Sequence, residues 1–441
     1  GSDSVGKLLI QYAVPAIIAM AAASIYNITD SVFIGHGVGS LALSGLSITF
    51  PLMNLGAAFG ALVGVGAAAL LSLRLGQKDY EAAGYILGNV VSLNFIMGIG
   101  LTIPVLIFLK PILIFFGASE NVLPYAYDFM AIIIAGNVIT HMYWGLNSLM
   151  RSAGHPQKSM YATLVTIVIN LILNALFIFV FRWGIRGSAF ATIISQAVVL
   201  AWQFYFFADK RNFLHFKKGI YKLKYQIVSG IISIGLAPFL LNAATCVIVI
   251  LVNRELSFYG GDLAIGAYGI VNRVAFLFIM IIFGINQGMQ PIAGYNYGAG
   301  LYVRVISVLK KSIAAAVVVM TAGFLIVELF PRATASLFSN EKELIDITAP
   351  GLRYVFFVFP FVGVQIVASA FFQSIGKAYK TIFLSLTRQT LFLIPLIIIL
   401  PKFFGIKGVW LSMPVSDFLS FIVCAAVLYF ELKKMRGRIV K

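Results

Sequence analysis

Asp30 lies in "IYNITDSVFIG" (25–35), at the end of a long apolar run and among Asn27, Thr29 and Ser31. A charge at the centre of a bilayer costs at least ~2.5–3.5 kcal/mol on insertion scales, so an ionisable group inside such a run is a functional candidate by default. Polar company for it is at hand: Asn170 and Asn174 in "INLILNALFIF", one helical turn apart and so on one face, and Thr192 in "AFATIIS". A carboxylate, two amide oxygens and a hydroxyl make an oxygen-ligand set for a small cation such as Na+. They serve equally as a hydrogen-bonded nest for a carboxyl that takes up a proton. Either way the group changes charge state, and with it the preferred conformation.

The second half of the chain has Val252 where a shift of 222 would place a counterpart of Asp30. It carries instead Arg273, Arg353 and Arg388 within or near apolar runs, with Gln287, Gln290, Gln365 and Gln373. The halves therefore read as divergent, the first carrying the ion switch and the second recognising a polar or anionic part of a substrate. Candidate substrate contacts are Tyr26, Asn27, Arg273, Gln287, Arg353 and Arg388. The competing reading of each arginine is snorkelling or pairing, with Glu328 or Asp417 as partner. Cys246 and Cys424 sit in apolar runs and the four histidines have no ligand spacing, so no disulfide framework, metal centre or organic cofactor is expected, only H+ or Na+ as coupling ion.

What positions these residues follows from composition. Of 441 residues, 61% are hydrophobic and 11% charged, with mean hydropathy +0.98. Soluble domains carry about a quarter charged residues. Apolar runs long enough to span a bilayer recur along the chain, twelve in all, starting near 8–33 and ending near 407–430. Helices are the open-chain solution in hydrocarbon, because each backbone amide must be satisfied within its own segment. The net charge of +17 is spread over short connections rather than one face, which argues against a nucleic-acid partner. Lys7, Arg74, Lys78, Arg151, Lys158, the cluster at 210–224, Arg304, Lys310, Lys311, Lys377, Lys380 and the residues after 432 fall on one side. By the positive-inside rule both termini are cytoplasmic, in a multi-pass cell-membrane protein. Residues 7–24 mimic a signal peptide, but the second half contains a counterpart of this segment, so cleavage is not expected.

An internal repeat organises the chain. Shifted by 222, "GSLALSG" (39–45) falls on "GDLAIGA" (261–267), and "SLMRSAGHPQKS" (148–159) falls on "AFFQSIGKAYKT" (370–381). At 221, "GIRGSAFATIISQ" meets "GIKGVWLSMPVSD"; at 223, Pro15 meets Pro238. The expected organisation is a six-helix bundle over 1–207, a basic cytoplasmic linker over 208–225 and a second six-helix bundle over 226–441. Six spans per half give both halves one orientation, related by an axis along the membrane normal, as in parallel-repeat transporters that work by alternating access. "GVGAAA" (64–69) resembles a dinucleotide fingerprint but lacks a preceding strand; Gly56, Gly60 and Gly64 read instead as a close-packing face.

On "YNITDSVFIG", "LGQKDYEAA", "RSAGHPQKS", "GIRGSAFAT" and "NQGMQPIAGYNYGAG", the chain resembles the multidrug and toxic compound extrusion (MATE) family, and on the last its DinF-like branch. The resemblance implies a V-shaped pair of six-helix bundles, a transporter rather than an enzyme, exporting organic compounds in exchange for protons or sodium ions. It implies Asp30 as the first-helix acid, Asn170 as the fifth-helix asparagine, Thr192 as the sixth-helix threonine and Pro15 as a point where the first helix bends. This chain departs from it at Asn174, where branch members often have a second aspartate. The reading is thus a secondary active antiporter, a monomer among membrane lipids, for small amphipathic organic compounds. A flippase for a lipid-linked or anionic substrate is the alternative within the class; a receptor, scaffold or passive channel is the alternative outside it.

Overall fold

The computed structural model describes residues 3–338 and 341–439, without the side chains of Asn27, Ile28, Ser40 and Asp262. The described residues form helices and connections with no strand. Ten helices are long and apolar enough to cross a membrane, and two bent pairs bring the spans to twelve. In order these are α1 (Val5–Gly37), α2 (Leu41–Gly76), α3 (Tyr80–Ile107), α4 (Leu123–Ala135 with Asn137–Ser152), α5 (Pro156–Val180) and α6 (Ile185–Ala208). There follow α7 (Tyr225–Gly261), α8 (Leu263–Gly298), α9 (Tyr302–Leu329), α10 (Lys342–Phe356 with Phe359–Ser374), α11 (Ala378–Phe404) and α12 (Ile406–Ile439).

Each of α4 and α10 is one apolar run in the sequence, and they bend by 54° and 53°. In α10 the break precedes Pro360, which has no N–H for the preceding turn. In α4 it falls at Gly136, where a Cβ would sit 2.4 Å from the Ile193 side chain. These breaks are 222 residues apart, as are the starts of the short helices Leu109–Phe115 and Pro331–Ser336 that precede the two spans. The repeat also recurs in the backbone. Gly39 and Gly261, Gly154 and Gly376, and Gly184 and Gly405 all have positive φ, and Lys78, at φ 60°, stands where Gly300 has φ 74°. A non-glycine residue in the left-handed region is uncommon, so Lys78 is held there by the turn's geometry rather than by preference.

The packing units are not simply the two halves of the repeat. One comprises Ile18–Phe239, the other Gly1–Ile17 with Leu240–Lys441. The beginnings of α1 and α7 are thus exchanged between units, and close glycine contacts explain it. On α7 a Cβ at Gly235 would lie 1.8 Å from the Leu62 carbonyl oxygen, and on α8 a Cβ at Gly288 would lie 2.6 Å from Ala13 Cα. The unit boundaries, 17/18 and 239/240, are again 222 apart, just past Pro15 and Pro238. Each unit has its own apolar core. Val5, Leu9 and Ala13 belong with Leu352, Phe371 and Phe372, while Ile34, Leu113, Phe129 and Ile185 form part of the other. The glycines of α2 pack as their spacing suggests: Gly64 faces Gly145, and the Gly56 carbonyl accepts from His141 Nε2 at 3.0 Å.

The basic linker is strapped to α3. Asn89, fully buried, donates through Nδ2 to the carbonyls of Ile220 (3.2 Å) and Lys222 (3.1 Å) and accepts from Lys224 N–H (3.0 Å). Ser92 donates to the Tyr221 carbonyl at 2.8 Å. Leaving buried backbone groups unsatisfied costs about 1–3 kcal/mol, so Asn89→Ala should destabilise the strap by that order. Faster tryptic cleavage at the lysines of 217–224 in detergent-solubilised protein would show it; an unchanged cleavage rate would refute it.

Candidate functional site

Asp30, Asn174 and Ser188 meet inside the Ile18–Phe239 unit. Asn174 Nδ2 and Ser188 Oγ both donate to Asp30 Oδ1, the latter at 2.8 Å. Asp30 is 9% exposed and Asn174 and Ser188 are fully buried. One helical turn away lies a second tier, in which Thr192 Oγ1 accepts from Asn170 Nδ2 at 3.2 Å and touches Tyr26 Oη at 3.3 Å. Thr192 donates its hydrogen to the Ser188 carbonyl at 3.1 Å, so Tyr26 is the donor to Thr192.

The two tiers come from three pairs at i, i+4: Tyr26 and Asp30 on α1, Asn170 and Asn174 on α5, Ser188 and Thr192 on α6. Such pairs share a helix face. Chain direction does the rest, because α1 and α5 ascend through the tiers while α6 descends. Local packing brings the faces together. After Ala175, α5 makes a π-helical turn, Leu176–Val180, a feature found frequently at functional sites. Gly37 at the end of α1 and Gly187 on α6 both close onto that turn. A Cβ on Gly37 would lie 2.2 Å from Ile178, and one on Gly187 would lie 2.9 Å from Phe177 Cβ. The side-chain oxygens of Asn170 and Asn174 are buried and have no hydrogen-bond partner among the described residues.

The site thus gathers Asp30, Asn170, Asn174 and Thr192, and adds Ser188. The sequence held one signal for Ser188: it stands four residues before Thr192, on the same face. Tyr26 is half-buried as a member of the second tier. Asn27 lies outside the described side chains. Pro15 is inside α1, in the other unit. Of the remaining candidates, all in that other unit, Gln287 is half-buried on α8 and Arg273 is exposed there. Arg353 pairs with Glu328, Nε to Oε1 at 3.5 Å, and donates to the Glu328 carbonyl at 3.1 Å. Arg388 pairs with Asp417, Nε to Oδ1 at 2.5 Å. Among the described residues no three His, Cys, Asp or Glu side chains cluster as metal ligands.

The MatE family model matches residues 15–176 and 233–399, most of the chain and both repeats. The chain belongs to the MATE family. Among MATE structures it resembles that of the MATE multidrug transporter DinF-BH in complex with R6G, at 33% identity and TM-score 0.90, over 97% of this chain and 96% of that one. It is also similar to the multidrug export protein MepA of Staphylococcus haemolyticus, 26% identical over 99% of this chain and 95% of the relative. A crystal structure of MATE in the bent conformation shares the fold, with TM-score 0.93 at 21% identity over 100% of this chain and 98% of that one. The protein is a multi-pass membrane protein of this transporter family.

Proposed function

We propose that this MATE protein is a secondary active exporter of small amphipathic organic compounds, driven by exchange for protons taken up at Asp30. The observation that carries the reading is the Asp30–Asn174–Ser188 cluster: a buried carboxylate inside a span, oriented by two donors, one of which, Asn174, has an amide oxygen without a partner among the described residues. Ionised Asp30 accepts from Asn174 Nδ2 and Ser188 Oγ. Protonated Asp30 is itself a donor and needs an acceptor. The unpartnered Asn174 Oδ1 becomes that acceptor when the amide turns over. One proton therefore rewires the contact between α1, α5 and α6, which is the physical content of a switch that biases two conformations.

The export direction and the organic substrates rest on the similarity to multidrug transporters. The basic connections support cytoplasmic termini. A second reading, Na+ as the exchanged ion, is favoured by the two unpartnered amide oxygens, which with Asp30 and a hydroxyl of Ser188 or Thr192 offer the hard oxygen ligands that a small cation takes.

The test is dye flux in proteoliposomes under an imposed proton gradient, an imposed sodium gradient or neither. Flux driven by protons alone supports the first reading and flux driven by sodium alone the second. Equal flux without any gradient would indicate a passive path and end both. Ser188→Ala removes one of two donors to the carboxylate, an interaction of about 1.5–3 kcal/mol when charged, and should shift the pH of half-maximal transport upward. The sign follows because losing a donor to the ionised form makes protonation easier. An unchanged pH profile would place Ser188 outside the switch.

A further inference from the structure

In the other unit, helices α7, α8, α11 and α12 carry a polar facet inside the membrane-spanning part that the proton switch does not use. Arg388 stands ten residues from the start of α11 and sixteen from its end, about 15 Å along the helix from the nearer terminus. It lies in a second π-helical segment, Thr387–Leu393, where the register of α11 shifts. Its guanidinium Nε is 2.5 Å from Oδ1 of Asp417, a carboxylate only 6% exposed. The Nε–H is not aligned with that contact, and among the described residues this nitrogen has no hydrogen-bond partner. The Arg388 side chain remains 32% exposed. Around it are Tyr268, which lies in its field, exposed Asn272 on α8, and Gln389, which donates to Thr245 of α7 at 3.0 Å.

A guanidinium about a third exposed and its amide and hydroxyl neighbours are too costly to present to lipid tails, so this facet borders a wet space. Asp417 balances the charge from the Nε side, and the side chain as a whole stays 32% exposed. A guanidinium fork matches carboxylate and phosphate oxygens in two parallel hydrogen bonds. Arg353, by contrast, is committed to Glu328, and nothing described orients Arg273. The repeat counterparts of Arg388 and Asp417, Thr166 and Gln196, are uncharged and bonded to Tyr143 and Thr140. The charged pair is therefore particular to the second half.

We propose that Arg388 is an anion-recognising contact on the substrate path, with Asp417 as its positioning residue, and that it takes the carboxylate or phosphate of anionic or zwitterionic substrates. This rests on the export reading but adds a substrate class to it.

The test uses the full chain in nanodiscs and two dyes with the same cationic ring system, rhodamine B with its free carboxylate and its neutral-tailed ethyl ester. A charge-assisted hydrogen bond lost without replacement weakens binding about tenfold or more, which Arg388→Gln should do to the carboxylate dye while changing the ester by no more than about twofold. Arg388→Lys, which keeps the charge and loses the fork, should fall between. Because Arg388→Gln leaves Asp417 buried without its partner, the double variant Arg388→Gln with Asp417→Asn is measured beside it; it should fold, bind the ester and reject the carboxylate dye. Nanodiscs of phosphatidylcholine alone and with phosphatidylglycerol separate the two sources of the anion: in the wild type, inhibition by phosphatidylglycerol of carboxylate-dye binding but not of ester binding assigns a lipid phosphate, and equal binding of the carboxylate dye in both nanodiscs assigns the carboxylate of a free substrate. Equal weakening of both dyes, no weakening of either, or a wild type that does not bind the carboxylate dye would each overturn the proposal. Ester transport driven by an ion gradient tests the export reading separately.

Discussion

Asp30→Asn should bring gradient-driven transport down to passive leak, a fall of about 100-fold or more, while leaving the protein folded and able to bind substrate. The reason is charge rather than shape. Asparagine is nearly isosteric with aspartate, and its carbonyl oxygen still accepts from Asn174 and Ser188, so the contacts that hold α1 against α5 and α6 survive. What disappears is a difference between two states. Moving a conformational equilibrium from 1:99 to 99:1 takes about 5.5 kcal/mol of differential ligand affinity, and an amide that neither gains nor loses a proton at accessible pH supplies none. Dye binding as a function of pH should correspondingly lose its slope in the variant. Flux in proteoliposomes, with dye binding measured on the same preparation, distinguishes lost coupling from lost folding. Undiminished gradient-driven flux in Asp30→Asn would rule out the switch.

Gly235→Ala should be among the most damaging single methyl additions in the chain. The new Cβ would sit 1.8 Å from the carbonyl oxygen of Leu62 and 2.6 Å from its carbonyl carbon, both backbone atoms. A clash with a flexible side chain is relieved by a rotamer change; one with a helix backbone requires α7 to move off α2. Overpacking of this kind typically costs about 1–3 kcal/mol and more when backbone must shift. Gly269→Ala on α8, where nothing lies within 4 Å, is the matched control and should be neutral or slightly stabilising, since alanine is about 1 kcal/mol the better helix former. Thermal unfolding in detergent should show a lower transition for Gly235→Ala only. Equal transitions would mean that α7 does not depend on this contact.

Much of the architecture was legible in the sequence because hydrocarbon leaves few options. Twelve apolar runs dictate twelve helices, and the constant offset near 222 carries through to the two bends, the paired short helices and the matched positive-φ turns. The bends themselves were not legible. An apolar run looks alike whether straight or broken, and Gly136 and Pro360 gain meaning only from what packs against them. The exchange of the α1 and α7 starts between units was hidden for a related reason. Contiguity in sequence suggests contiguity in space, but the close approaches of Gly235 to Leu62 and Gly288 to Ala13 decide otherwise.

For the site, the sequence by itself determined which residue types stand at helical spacing inside apolar runs: Asp30, the pair Asn170 and Asn174, and Thr192. An intramembrane carboxylate is costly enough to be conspicuous without any structure. Tertiary structure alone decided the pairing, since which faces meet depends on the π turn after Ala175 and on the absence of side chains at Gly37 and Gly187. Those features brought in Ser188, set Asp30 against Asn174 rather than Asn170, and separated the two tiers. In the same way the sequence placed Arg388 and Asp417 in neighbouring spans, but the distance between them, and the partial exposure of the arginine, follow from how α11 and α12 pack. Composition and period fix which segments are buried in the membrane; side-chain volume at the helix crossings fixes which polar groups find each other there.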